Sequence, residues 1–234
     1  GIVAIVFMNS LIFFNKISVN FFSNVFLKYA VAIISLSAIG HFVPEVMGLG
    51  TSTVLSAVSG EFVLYFALLI LIGKILATSI SLGFGFFGGV FSPALLVGAS
   101  AGAVVAELFV VVGFLEKFEP ALVISGMAAV TGAVIGAPIC MVVIVMELTS
   151  SYIYALSSLV GLTLSVSLSH ILFGASYFDR QLGTRGIDIS TGRSGMFLME
   201  KRASDYASFD YIELYRQDTV QDASRLMSEQ NKNE

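Results

Sequence analysis

The stretch Phe87–Gly98, FGGVFSPALLVG, sets a glycine pair, a serine and a proline inside strongly apolar sequence. Ser92-Pro93 has the chemistry of a helix start. Serine is a favoured N-cap, and proline is tolerated in a first turn, where its missing N–H would be unpaired anyway. Downstream, ALLVGASAGAVVAELF reads as a long apolar helix; upstream, GFGFFGG is rich in the residue that lets a backbone approach a ligand closely. A helix N-terminus carries about half an elementary charge on amides without intrahelical acceptors. Such an end binds anions without a full positive charge. For an ion that must also leave, partial charges on the amides of Gly89, Val90, Phe91 and Ser92 suit better than a buried lysine. The competing reading is a helix break packed by its neighbours, with no ligand.

The elements around this stretch are membrane-spanning by composition. The chain is 56% hydrophobic and 12% charged, with a mean hydropathy of +0.91. The runs Phe26–Val43, Phe62–Ile80, Pro93–Leu115, Ala121–Met146 and Tyr152–Phe173 each approach or exceed the roughly 20 residues that cross a bilayer core. A polytopic, all-α integral membrane protein follows. Its start, GIVAIVFMNSLIFFNK, lacks the pattern of a signal peptide and opens inside an apolar helix, so an upstream part is expected. Several runs carry glycine or proline near the middle or end, as in GHFVPEVMGLG, SLGFGFFGGVFSP, GAVIGAPIC and FGASYFD. In lipid an irregular backbone survives only when buried in protein or lining a watery cavity, as in transporters and channels built from tilted, discontinuous helices. The pairs Gly98/Gly102 in GASAG and Gly132/Gly136 in GAVIG have the spacing that lets helices pack closely, which predicts an interior position for both segments.

Charge is placed unevenly. Residues 1–202 hold nine acids and nine bases, and residues 203–234 hold seven acids and three bases. A mildly acidic, soluble tail gives no reason to expect nucleic acid as a partner. Arg180, Arg185, Arg193, Lys201 and Arg202 follow the last apolar run and predict a cytoplasmic C-terminus; a charged linker without topological meaning is the alternative. A short helix is predicted near Ser176–Leu182, a strand at YIELYR, and a helix over DTVQDASRLMSEQNKNE. In that helix Thr219 and Asp222 have capping-box spacing, and Val220, Ala223 and Met227 share a face.

GGVFSP, then GMAAVTGAVIGAPICMVVIVMELT, then SYFDRQL, in this order after HFVPEVMGLG, resemble the C-terminal half of CLC chloride channels and H+/Cl− antiporters. The resemblance covers residues 1 to about 186. YRQDTVQDASRLM is similar to the opening of a CBS domain, which implies a linker over 187–209 and an incomplete CBS-like unit over 210–234, with a nucleotide as the ligand of a complete one. In that family, backbone amides matching Gly89, Val90, Phe91 and Ser92 coordinate chloride, and a tyrosine matching Tyr177 reaches the same ion through its hydroxyl. An interfacial tyrosine in an aromatic belt is the other reading of Tyr177. The family's serine loop and glutamate loop, GSGIP-like and G-[KR]-E-G-P, do not occur in this sequence; the exchangers' proton-relay glutamate lies in the same missing half. The resemblance therefore implies a cell-membrane transporter of chloride or a similar monovalent anion, voltage-gated channel or proton-coupled antiporter, of which this chain supplies half a pore. It also implies a homodimer joined through residues 138–173. A non-transporting membrane scaffold is the alternative from another class.

Other residues carry weaker signals. Lys74 is an isolated cation that either draws anions into a vestibule or snorkels to the interface. Glu147, the one acid between Glu119 and Asp179, is either on a proton path or part of a helix end at LTSSY. Lys28 and Glu107 read as interface residues. His41 and His170 are the two histidines, each near a predicted helix end, and Cys140 reads as a small core hydrophobe. No metal-ligand spacing occurs, no cofactor is implied beyond the transported ion, and ISGMA around Ser125 lacks the partners of a catalytic nucleophile.

Overall fold

A computed structural model of the chain describes residues 1–113, 119–174, 176–184 and 219–229. The described residues are helical and contain no strand. The chain divides into two compact units, Gly1–Arg185 and Gly186–Glu234. The first contains α1 (Ile2–Phe21), α2 (Val25–Phe42), a 3-10 turn (Pro44–Val46), α3 (Thr51–Val58), α4 (Leu64–Gly83), α5 (Phe91–Val111), α6 (Glu119–Ile135), α7 (Pro138–Thr149), α8 (Tyr152–Leu172) and α9 (Tyr177–Thr184). The second contains α10 (Val220–Glu229). The strand expected at YIELYR lies outside the described residues.

Among the described residues, five helical segments are long and apolar enough to cross a membrane: α1, α2, α4, α5 and the stretch Tyr152–Gly183. The run Ala121–Met146 is not a single span. Gly136 takes a left-handed φ of +80°, its N–H donates to the Gly132 carbonyl at 2.9 Å, and Pro138 opens α7. Glycine accommodates that angle, and the following proline sits where no N–H is needed, so the chain turns instead of continuing. Gly136 is therefore beyond the end of α6 and does not share a helix face with Gly132. The expectation of discontinuous apolar helices holds here most plainly.

The core is built around α5 and α6, which form the most extensive helix pair, with α1, α4 and α8 packed about them. Close approach has a specific cause. A Cβ added at Gly98 would lie 2.5 Å from the Gly126 carbonyl, one at Gly102 would lie 2.5 Å from the Leu122 carbonyl, and one at Gly126 would lie 2.5 Å from the Gly98 carbonyl. GASAG thus packs on Gly126 of ISGMA. Gly132 faces the Leu162 side chain instead, and Gly136 faces Ser176. Outside this core the helices leave large apolar side chains uncovered, including Phe21, Phe26, Ile139, Leu148, Ile153 and Ile171. Helix α2 buries only Ala32. Surface of this kind suits lipid or further protein, not water.

Candidate functional site

The glycine-rich connection from α4 to α5 leaves the last turn of α4 at Phe84, which caps it, and turns at Gly85 with φ +92°. Phe86 stacks edge-on with Tyr29 of α2 at 5.3 Å between centroids, while Phe87 is fully exposed. Gly85 has the Lys28 ammonium beside it, 3.5 Å from where a Cβ would stand. Lys28, read from sequence as an interface residue, is half-buried against this loop.

Helix α5 begins one residue before the predicted N-cap. Val90 is the capping residue, Phe91 is the first helical one, and Pro93 falls within the first turn. Ser92 is therefore inside the helix and does not cap it. Its Oγ donates to the Leu49 carbonyl at 2.7 Å, tying the start of α5 to the turn that follows α2. The amides of Gly89, Val90, Phe91 and Ser92 have no backbone or side-chain acceptor among the described residues. Gly89 is exposed, and a Cβ there would meet nothing within 4 Å. Neither packing nor a left-handed backbone requires glycine at this position. The arrangement can present four consecutive donors, at the positive end of a 21-residue helix, to whatever faces that space.

Tyr177 is the first residue of α9, held there by a cap that sequence reading overlooked. Ser176 N–H and Oγ donate to Asp179 Oδ2 at 3.1 and 2.8 Å, and Asp179 N–H returns a 3.3 Å bond to Ser176 Oγ. This is a capping box with aspartate in place of glutamate. Its signal, S-x-x-D in SYFD, is the same one recognised in the tail at TVQD. Arg180 stacks over the Phe173 ring at 4.2 Å, and Gly136 packs against Ser176, so the end of α6 buttresses the start of α9. The half-buried Tyr177 packs against the core cluster that contains Val90, Ala94 and Val97 of α5 with Val130, Val134 and Phe173. Two of the predicted regions, the start of α5 and the start of α9, therefore meet on one apolar cluster.

Other candidates stand elsewhere. Lys74 does not snorkel: it is 3% exposed in mid-α4, and its Nζ donates to the carbonyls of Val46 and Gly48 at 2.8 Å each. That burial leaves no ammonium surface to line a vestibule. Glu147 is exposed in the last turn of α7, whose end is marked by Ser150 at φ +50°. Cys140 is exposed and is not a core residue. His41 and His170 lie in the last turns of α2 and α8, as predicted. Among the described residues no group of His, Cys, Asp or Glu could hold a metal.

Comparison with known proteins follows the same residues. Residues 1–170 match the family described as voltage gated chloride channel. An uncharacterized protein of Methanocaldococcus jannaschii is 34% identical over 113 residues, covering 48% of this chain and 27% of that protein. The H(+)/Cl(−) exchange transporters ClcA of Vibrio parahaemolyticus and Vibrio cholerae are 28% identical over 142 and 31% identical over 143 residues, in each case 60% of this chain and 30% of the relative. The chain thus spans less than a third of the length of these relatives. With the match running through α1 to α8 and including the α4–α5 connection, the chain belongs to the voltage gated chloride channel family.

Proposed function

We propose that the protein carries chloride or a similar small monovalent anion across a membrane, and that the anion binds at the start of α5. The backbone amides of Gly89, Val90, Phe91 and Ser92 hold it on one side and the Tyr177 hydroxyl on the other. The observation that carries this reading is the run of four amides with no acceptor beside a glycine that the fold itself does not require. Donors of this kind replace part of the ion's hydration shell without a formal charge, so binding is strong enough for entry and weak enough for release. The sign of the dipoles selects against cations. Tyr177 adds a neutral donor on a stiff side chain, supported by its packing on the cluster that includes Val90.

A passive voltage-gated channel and a proton-coupled exchanger would both use such a site. The exchange reading is favoured by the two Vibrio relatives, which are named H(+)/Cl(−) exchange transporters. Exposed apolar side chains along α7 and α8, among them Ile139, Val143, Leu156, Val160 and Leu164, support a homodimer formed through residues 138–173. The basic cluster after α8 supports a cytoplasmic C-terminus.

The test is chloride binding and flux in liposomes, measured on the protein with the remaining half of the pore present. Gly89→Val should abolish measurable flux by obstructing approach of the ion to the amides, while the protein still folds, because a Cβ there meets nothing within 4 Å. Tyr177→Ala should weaken chloride binding roughly ten- to a hundredfold, the range for one hydrogen bond to a charged group. Normal binding and flux in both variants would sink the site; absence of flux in the unmutated protein would favour a membrane scaffold.

A further inference from the structure

Lys74 is the one charged side chain buried among the described residues, and its partners there are carbonyls, not carboxylates. Burying an ammonium is expensive, and an aliphatic residue of similar length would fill the same space without that cost. What the charge holds is therefore informative. Val46 ends the 3-10 turn and Gly48 follows it, so the two bonds hold the first half of a short loop, residues 46–50. The next carbonyl in that loop, Leu49, accepts the Ser92 hydroxyl at 2.7 Å. Gly50, at φ +74°, lies so close to α5 that a Cβ there would stand 2.6 Å from Leu96 Cδ2. Thr53 closes the same loop from α3 by donating to the Glu45 carbonyl at 3.3 Å.

A continuous path of contacts thus runs from α4 through residues 46–50 to the first turns of α5. Resting on the anion-site reading above, we infer that Lys74 is a positioning residue for that site. It fixes the 46–50 loop, and the loop fixes the register and direction of the Gly89–Ser92 amides through Ser92. Preorganised donors lose much of their effect when displaced by a fraction of an ångström, so the clamp sets affinity and anion preference without touching the ion.

The experiment measures chloride and nitrate affinities by titration calorimetry on the purified protein and its variants. Lys74→Met should weaken chloride binding about tenfold and change the chloride-to-nitrate ratio, whereas Lys74→Arg should recover most of both. Ser92→Ala should add little to Lys74→Met, because both act through one loop; fully additive losses would overturn the relay. A lysine that only stabilises the fold would lower thermal stability and leave affinity and ratio unchanged in the folded fraction, and that result would overturn the inference. If Lys74→Met does not fold, Lys74→Gln, which keeps a donor at shorter reach, is judged in the same way. The two levels separate cleanly. Wild-type protein that binds no chloride removes the site and this inference together; chloride binding lost in Gly89→Val but unchanged in Lys74→Met removes the inference alone.

Discussion

Gly126 shows how much a single missing side chain can decide. It lies where the backbones of α5 and α6 touch, with Gly98 and Gly102 opposite. A methyl group at Gly98 would be pressed against the Gly126 carbonyl, a backbone atom that yields only if a whole helix shifts. Gly98→Ala should therefore destabilise the protein by about 1–3 kcal/mol, the usual cost of overpacking. Thermal unfolding in detergent checks this, with Gly183→Ala as control, since a Cβ at Gly183 meets nothing within 4 Å. Equal melting temperatures for the two variants would show that α5 and α6 can separate at little cost. The GASAG spacing was legible in the sequence as a packing signal, but its partner was not. GAVIG has the same spacing, and only the antiparallel pairing of α5 and α6 brings the isolated Gly126 opposite instead. The same holds for Lys74, whose partners lie 28 and 26 positions away in the chain. Local pattern cannot reveal such a neighbour.

Helices were the most legible features, because apolar length is a property of the chain itself. The observed bounds of α2, α4 and α8 lie close to the apolar runs that predict them. Errors fall at ends, where one hydrogen bond decides: Ser92 has a capping residue's chemistry but spends its hydroxyl on Leu49. The tail makes the converse point. Thr219 N–H and Oγ donate to Asp222 Oδ2 at 2.9 and 2.6 Å, and Asp222 N–H donates to Thr219 Oγ1 at 3.3 Å, as the spacing predicts. The Thr219 hydroxyl bond, followed by its backbone N–H bond, holds the Asp222 carboxyl below its ordinary pKa. A carboxylate depressed on folding contributes stability above its unfolded pKa, about 3.9, and that contribution disappears as pH falls through the lower folded value. Amide protection in the first turn of α10 should therefore be constant from neutral pH down to that range and fall below it. Asp222→Asn should show weaker protection at neutral pH and lose the acid transition; protection identical to wild type at every pH would mean the cap adds nothing.

For the whole molecule, the proposed anion transport takes one of two forms, passive conduction or proton exchange. The described residues contain no buried carboxylate: the buried polar side chains are serines, threonines and Lys74. Glu147, the acid that sequence analysis set on a proton path or a helix end, is exposed at the end of α7. Among the described residues, a proton route through acids would thus run along exposed side chains such as Glu147. Exchange makes a sharp electrical prediction all the same. With equal chloride on both sides of the membrane, a proton-coupled carrier shifts its reversal potential when a pH gradient is imposed, because protons move against the anion; a channel stays at zero. Glu147→Gln should leave any such shift intact, since an exposed acid at a helix end is replaceable by water as a proton donor. A shift that vanishes in Glu147→Gln would place the proton path along α7. A shift that persists would assign coupling to residues outside α7 and keep the anion site at α5 independent of it.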